Sequence, residues 1–411
     1  MNRFLRRLLG ATALACFVWL NVDYWRDPVY WRRWWDTMSH MDAEYLNLAP
    51  LDAVAAEPAP PLAAAAGDGL TVSESALRAA EAYAASFDSF AFIAVHRGVV
   101  QTEWYRPDRK PADLTQSQSM MKTVTALMIG AAIEDGLIGS LDDPIGNYFE
   151  EWQDDPRGRI TIRNLLNMSS GLGKYEFSLN PFTQASAFRF LFSSERDPVV
   201  FGTPLEWEPG SKFDYNDANA QLAGMLVQRV LDEPYATYLS RRLWGPVAGE
   251  TGYVWMDRSG GNAMTACCMV APAMAWARIG VMLKDGGRYA GRQVVAEQWI
   301  EELIRPSAVA DRYGLFTWLA GGLNKFAVGE TTMDYGMTEP FDDPQAFMLL
   351  GLGGQRVYVS RALDLVIVRM GPFSGYQPLK PGWDNSRLFN LIARGIKKVP
   401  GTYPDTNLAP L

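Results

Sequence analysis

Histidine is nearly absent from this 411-residue chain: His40 and His96 are its only two. A Ser-His-Asp triad would have to use one of them. His40 lies among Trp34, Trp35 and Met38, and His96 ends the strand-like run Phe92 to Val95, so neither is placed as a catalytic base. Cysteine is almost as scarce, with Cys16 and the adjacent Cys267 and Cys268. That excludes a disulfide scaffold and, with two histidines, a His/Cys zinc site. Because neighbouring residues hold their side chains apart, Cys267 and Cys268 are expected as buried free thiols. Basic excess is missing too: the net charge is -8 and the pI about 5.1, which argues against a nucleic-acid partner. What is present is apolar residue in quantity, 48% against 20% charged, enough for a sizeable core.

The first 22 residues combine Arg3, Arg6 and Arg7 with an uncharged run from Leu8 to Leu20. Both a cleavable signal and a short membrane anchor fit, and either implies an exported domain tethered or released beyond the membrane. From Trp25 to Trp35, aromatic residues alternate with Arg26, Arg32 and Arg33, a mixture suited to a headgroup interface or to a helix packed on the domain. Residues 53–70 are mostly Ala, Pro and Gly and read as a linker, and 399–411 as a tail.

The folded part starts near residue 71 and runs to 398. Helical spacing over 73–86 precedes two strand-like runs, Phe90 to Val95 and Val99 to Tyr105, split by Arg97-Gly98. Met120 to Asp135, Ile160 to Leu166 and Asn219 to Leu231 read as helices, and strands return at Ala346 to Leu350, Arg356 to Ser360 and Leu363 to Met370. This order predicts an α/β fold of the α+β kind: one antiparallel sheet completed by both ends of the chain, flanked by helices, with a helical region inserted at about 137–289.

Of nine lysines, only Lys122 has a serine three residues before it, Ser119, at the start of the Met120 helix. Residues three apart share a helix face, so the amine can reach the hydroxyl, and free N–H groups at the helix start favour negative charge there. The other reading is a serine cap followed by an exposed lysine. Further along come Phe213-Asp214-Tyr215-Asn216-Asp217, and then Gly351-Leu352-Gly353-Gly354-Gln355 before a strand. Leu137 to Tyr148, Ile160 to Leu172 and Trp276 to Gly280 ahead of Asp285-Gly286-Gly287 accompany them.

In this order the motifs resemble those of serine hydrolases of the class C β-lactamase and penicillin-binding fold, with its esterase and 6-aminohexanoate-dimer hydrolase branch. The resemblance implies Ser119 as nucleophile, Lys122 as its activator and Tyr215 as proton relay, with main-chain N–H groups of Ser119 and Gln355 forming an oxyanion hole beside Gly353 and Gly354. For Lys122 to act as a base, burial and nearby positive charge should lower its pKa. Tyr175 stands about where dimer hydrolases of the group carry a substrate-facing tyrosine, and Asp217 where β-lactamases have the Asn of Tyr-x-Asn, the other reading of Asp217 being a cap on the helix that follows. Leu352 replaces the lysine of Lys-Thr-Gly, leaving Arg356 to substitute for it or not.

The expected activity is hydrolysis of a small ester or amide through an acyl-enzyme, a chemistry that calls for no metal or organic cofactor. A non-enzymatic binding protein on the same fold, and a DD-peptidase or β-lactamase, are the alternatives. Trp207, Trp276 and Trp318 are candidates for an apolar cleft wall or for the core.

Overall fold

Alternation in Leu365–Met370 and Gln355–Ser360 turns successive side chains to opposite faces of a sheet, and both faces are covered. In a computed structural model these strands are central to a six-stranded antiparallel sheet. Its order is Val99–Tyr105, Ala91–His96, Leu365–Met370, Gln355–Ser360, Phe347–Gly351 and Trp318–Leu319. Described residues are 10–16, 19, 25–40, 44–183, 185–321, 326–328, 331–333, 337–373 and 383–397.

The two ends of the domain complete this sheet, as the sequence predicts. On one face, the helix Ala273–Lys284 lies across the central strands at close range, because Gly280 has no side chain. A Cβ there would stand 2.5 Å from Val366 Cγ1. On the other face Tyr358 and Arg356 reach Asn385, at the start of the helix Asn385–Gly395, which packs on Glu74–Ser86. The interior of the chain supplies the helices Met120–Glu134, Ile162–Leu166 and Asp217–Val230, packed together.

That interior also yields short strands, which pair with one from ahead of the domain. Leu51–Val54, Gly252–Trp255, Val270–Pro272 and Leu114–Gln116 form a second antiparallel sheet in that order. Its outer strand corrects the reading of residues 53–70 as a linker. Leu51 pairs with Trp255 and Val54 with Gly252, Glu57 N–H donates to Gly245 O (3.0 Å), and Ala65 N–H to Val100 O (2.9 Å). The stretch lies along the domain because carbonyls distant in sequence accept the N–H groups of Glu57 and Ala65.

The aromatic and basic segment ahead of it forms the helix Pro28–Ser39, packed on Ala187–Phe192. Tyr30 Oη donates to Pro181 O (2.7 Å), and the buried Arg33 guanidinium donates to Ala49, Phe192 and Met256 carbonyls. No helix among the described residues is long and apolar enough to cross a membrane. The apolar run from Leu8 to Leu20 is described only at 10–16, as helix, and at 19, and the tail 399–411 lies outside the described residues.

Cys267 and Cys268 are joined in a disulfide, which corrects the expectation of free thiols. Cys268 takes φ +79°, a left-handed backbone conformation that brings two neighbouring side chains to the same side.

Candidate active site

The second sheet delivers Ser119. Gln116 pairs with Val270, and the two chains stay together past the ladder, where Ser117 N–H donates to Met269 O (2.8 Å) and Cys268 N–H to Gln118 O (3.1 Å). Gln118 turns at φ +48° and the helix Met120–Glu134 begins. Ser119 occupies the cap position, yet its side chain makes no cap hydrogen bond. Lys122 Nζ, one turn on, donates instead to Ser119 Oγ (2.9 Å) and to Ala266 O (2.6 Å). Lys122 is 1% exposed and Ser119 half-buried, so a serine cap followed by a solvated lysine does not describe the pair.

Tyr215 and Asp217 come from the start of the helix Asp217–Val230. Asn216, not Asp217, caps it: its Oδ1 accepts from Ala218 N–H (2.8 Å), while its Nδ2 donates to Leu172 O (2.8 Å) and Gly173 O (2.6 Å). Asp217 is thereby left to meet the lysine, with Oδ1 2.7 Å from Lys122 Nζ and 45% of its side chain open to solvent. The ammonium stands 5.0 Å from the centre of the Tyr215 ring, whose surroundings include Trp318 and Tyr313 at 5.5 and 6.3 Å.

This neighbourhood reverses the expected pKa shift of Lys122. Complete burial acts to lower it, but the Asp217 carboxylate and the Tyr215 side chain outweigh burial, and the amine is held above its ordinary 10.5. The anticipated positive neighbour is not among the main causes of the shift. Lys122 is therefore an ammonium at neutral pH, a donor and a positive charge beside the serine oxygen.

Tyr175 reaches the same neighbourhood: burial, and more weakly the Asp217 charge, push its phenol upward. Its Oη lies 3.1 Å from Thr203 Oγ1 and its ring stacks on Phe190 at 4.6 Å. At the sheet edge, Gly353 and Gly354 take φ +73° and +80° in the turn between the two strands. Gly351 is pressed against the approach to Ser119, since a Cβ on it would stand 2.3 Å from Ser117 O. The Gln355 side chain is buried and bonded both ways to Gly371, through Nε2 to O (2.7 Å) and Oε1 from N–H (2.9 Å). Any oxyanion role at this turn thus belongs to main-chain N–H groups.

Arg356 is buried on the opposite face of the sheet, donating to Asn385 Oδ1 and the Gly351 and Gln355 carbonyls, and does not replace the missing lysine. Trp276 lies in the core and only Trp318, of the three candidate tryptophans, packs on Tyr215. The histidines are engaged elsewhere, His96 with Thr71 Oγ1 and His40 with Asp36. Among the described residues no cluster of His, Cys, Asp and Glu could hold a metal ion.

Residues 77–371 match the Beta-lactamase family. The chain belongs to the β-lactamase family. A 6-aminohexanoate-dimer hydrolase of Paenarthrobacter ureafaciens is 24% identical over 295 residues, 68% of this chain and 71% of that one. Among solved structures, a candidate 6-aminohexanoate-dimer hydrolase from Bacillus anthracis superposes with a TM-score of 0.66 at 20% identity, over 90% of this chain and 95% of the other. EstA from Arthrobacter nitroguajacolicus Rue61a gives 0.57 at 16%, over 79% and 96%. At these identities the structural likeness speaks for the fold alone.

Within this family fold, the parts missed by sequence reasoning are main-chain atoms and supports. Ala266 O anchors the ammonium from 144 residues away, and nothing in the local sequence signals it. Asn216, which ties the Tyr215 turn to the loop leading to Tyr175, was legible only as a polar residue before a helix. Replacing Tyr215 with Phe deletes one hydroxyl and leaves the ring on Trp318. Its kcat for an activated ester is expected to fall about 10²- to 10³-fold with KM little changed. Unaltered kinetics would make Tyr215 a packing residue.

Proposed function

We propose that this protein is a serine hydrolase that cleaves an ester or amide through an acyl-enzyme on Ser119. The observation that carries the reading is the Lys122 Nζ to Ser119 Oγ contact of 2.9 Å, made by a serine whose hydroxyl is not spent on capping its helix. Lys122, kept charged by Asp217, orients the serine oxygen and stabilises negative charge as it attacks the substrate carbonyl. Tyr215 relays the proton: as its oxygen accepts the serine proton, it hands its own phenolic proton to the departing alcohol or amine. Water then hydrolyses the Ser119 ester by the reverse route, releasing the acid and restoring the hydroxyl.

An ester or a linear amide is favoured over a β-lactam or a D-alanyl peptide. Leu352 stands where a cation would hold the carboxylate of those substrates, and Arg356 is turned away. The relative named as a 6-aminohexanoate-dimer hydrolase fits the same substrate class. A binding protein freed from catalysis would have no use for the Ser119, Lys122 and Tyr215 grouping. The test is serine-dependent release of p-nitrophenol from a short-chain ester, with stoichiometric capture of benzylpenicillin as the result that would favour the peptidase reading.

We further propose that the domain is exported and rests against the membrane. Support comes from the Arg-rich start with its apolar run, and from Trp25, Trp35, Arg26 and Arg32 exposed around a helix whose other side is docked. Co-sedimentation of the full chain with vesicles rich in anionic lipid is expected, and should weaken when Trp25 and Trp35 are replaced by Ser. Equal recovery of both proteins in the supernatant would remove the proposal.

A further inference from the structure

We propose that the Cys267–Cys268 disulfide is a redox modification site that positions the Ser119–Lys122 pair, so that its reduction slows turnover. The inference rests on the acyl-enzyme reading and adds a control to the same site. The two cysteines sit between groups that hold the site: Ala266 O accepts from Lys122 Nζ at 2.6 Å, and Cys268 N–H donates to Gln118 O at 3.1 Å, one residue before the nucleophile. Cys268 Sγ also lies 3.5 Å from Gln118 Oε1.

Both flanks of the segment are fixed independently. Thr265 N–H donates to Gln221 Oε1 (3.0 Å) and Thr265 O accepts from Thr125 Oγ1 (3.0 Å), while Met269 O accepts from Ser117 N–H (2.8 Å). Between these anchors the ring closed by the disulfide holds Cys268 at φ +79°, a region a residue with a Cβ seldom occupies. Opening the ring lets Cys268 return to negative φ, and the peptide units on either side of Cys267 must rotate with it. Those units carry the Ala266 carbonyl and the Cys268 N–H. Cys268 is wholly buried and Cys267 retains 9% of its surface, so a reductant approaches from the Cys267 side.

The step is a thiol–disulfide exchange. A dithiol's thiolate attacks Cys267 Sγ, and the S–S bond breaks towards Cys268, which takes a proton. The second thiolate then displaces Cys267, leaving two protein thiols and an oxidised, cyclic reagent.

The test uses the full chain, oxidised or treated with dithiothreitol under native conditions, with thiols counted by iodoacetamide trapping and mass. Two new thiols beyond Cys16 are expected. The expected kcat for a p-nitrophenyl ester is about tenfold lower or more, with KM changed less than twofold and recovery on re-oxidation by oxidised glutathione. The double variant C267S/C268S should match the reduced enzyme and ignore dithiothreitol. Full kcat with two thiols present, no new thiols under native conditions, or full kcat in the double variant would each overturn the inference. So would loss of near-UV circular dichroism in step with activity, which would make the disulfide a structural staple only. A fluorophosphonate that fails to label Ser119 in the oxidised enzyme would count against the acyl-enzyme reading instead. Hydrogen exchange of the 117–122 peptide then judges the clamp alone: faster exchange on reduction supports it, and equal exchange sinks it.

Discussion

Ser119→Ala is expected to lower turnover of a p-nitrophenyl ester by about 10⁴-fold or more while leaving the fold unchanged. The catalytic half of the expectation follows from chemistry: without Oγ no acyl group can be carried by the enzyme, and what remains is whatever binding and oriented N–H groups supply. The structural half follows from the geometry. Ser119 Oγ caps no helix N–H, so its removal does not orphan the helix start. Lys122 keeps Ala266 O and Asp217 as partners, so no unpaired buried charge is created. Stability should therefore stay within ~0.5 kcal/mol by urea titration. A folded variant with undiminished ester release would dispose of the acyl-enzyme.

Lys122→Met should be nearly as damaging to turnover, by about 10³-fold or more, since it deletes the one charge set against the serine oxygen. The carboxylate it abandons is partly solvated, with 45% of its side chain open, so the fold should survive. A Lys122→Met enzyme with ordinary rate would dismiss the mechanism.

The pH dependence discriminates further. Burial lowers the Lys122 pKa, and Asp217 together with Tyr215 more than restores it, so the folded value lies above the unfolded 10.5. A raised lysine pKa contributes stability that is fully present below the unfolded value and is lost as pH rises through the folded one. The wild type should accordingly hold its stability up to about pH 10 and lose this contribution beyond it. In Asp217→Asn only Tyr215 is left to oppose burial, and the shift is expected to turn downward. The unfolded chain then binds the extra proton, and the variant should be weakest near neutral pH and gain stability as pH rises towards 10. Denaturant midpoints measured across pH 7–10 test this, and parallel curves for the two proteins would refute the ion pair as the cause.

Much of the scaffold was legible along the chain. The run Phe90 to Tyr105 broken at Arg97-Gly98, and the branched residues of Leu365–Met370, specify strands through local alternation. Met120–Glu134 declares a buried helix through its apolar run, with the following Gly136 at φ +74° where the helix has ended. Ser119 and Lys122 were accessible for the same reason, because a spacing of three on a helix is local geometry. Leu51–Val54 was hidden in an alanine- and proline-rich stretch, as its partners lie some 200 residues away at Gly252–Trp255.

Residue types and their spacing along the chain thus determined by themselves the antiparallel sheet built from both ends, the helix that opens at Ser119, and the pairing of serine with lysine on one face. Those features depend on dihedral preference and apolar periodicity, which act over a few residues. Tertiary structure alone decided the charge state of Lys122, the assignment of Asp217 to that ammonium rather than to a helix cap, the turning away of Arg356 and the joining of Cys267 to Cys268. Each depends on which groups distant in sequence share a desolvated space, where a carboxylate 2.7 Å from an amine, with the neighbouring tyrosine, outweighs the burial that would otherwise strip its proton.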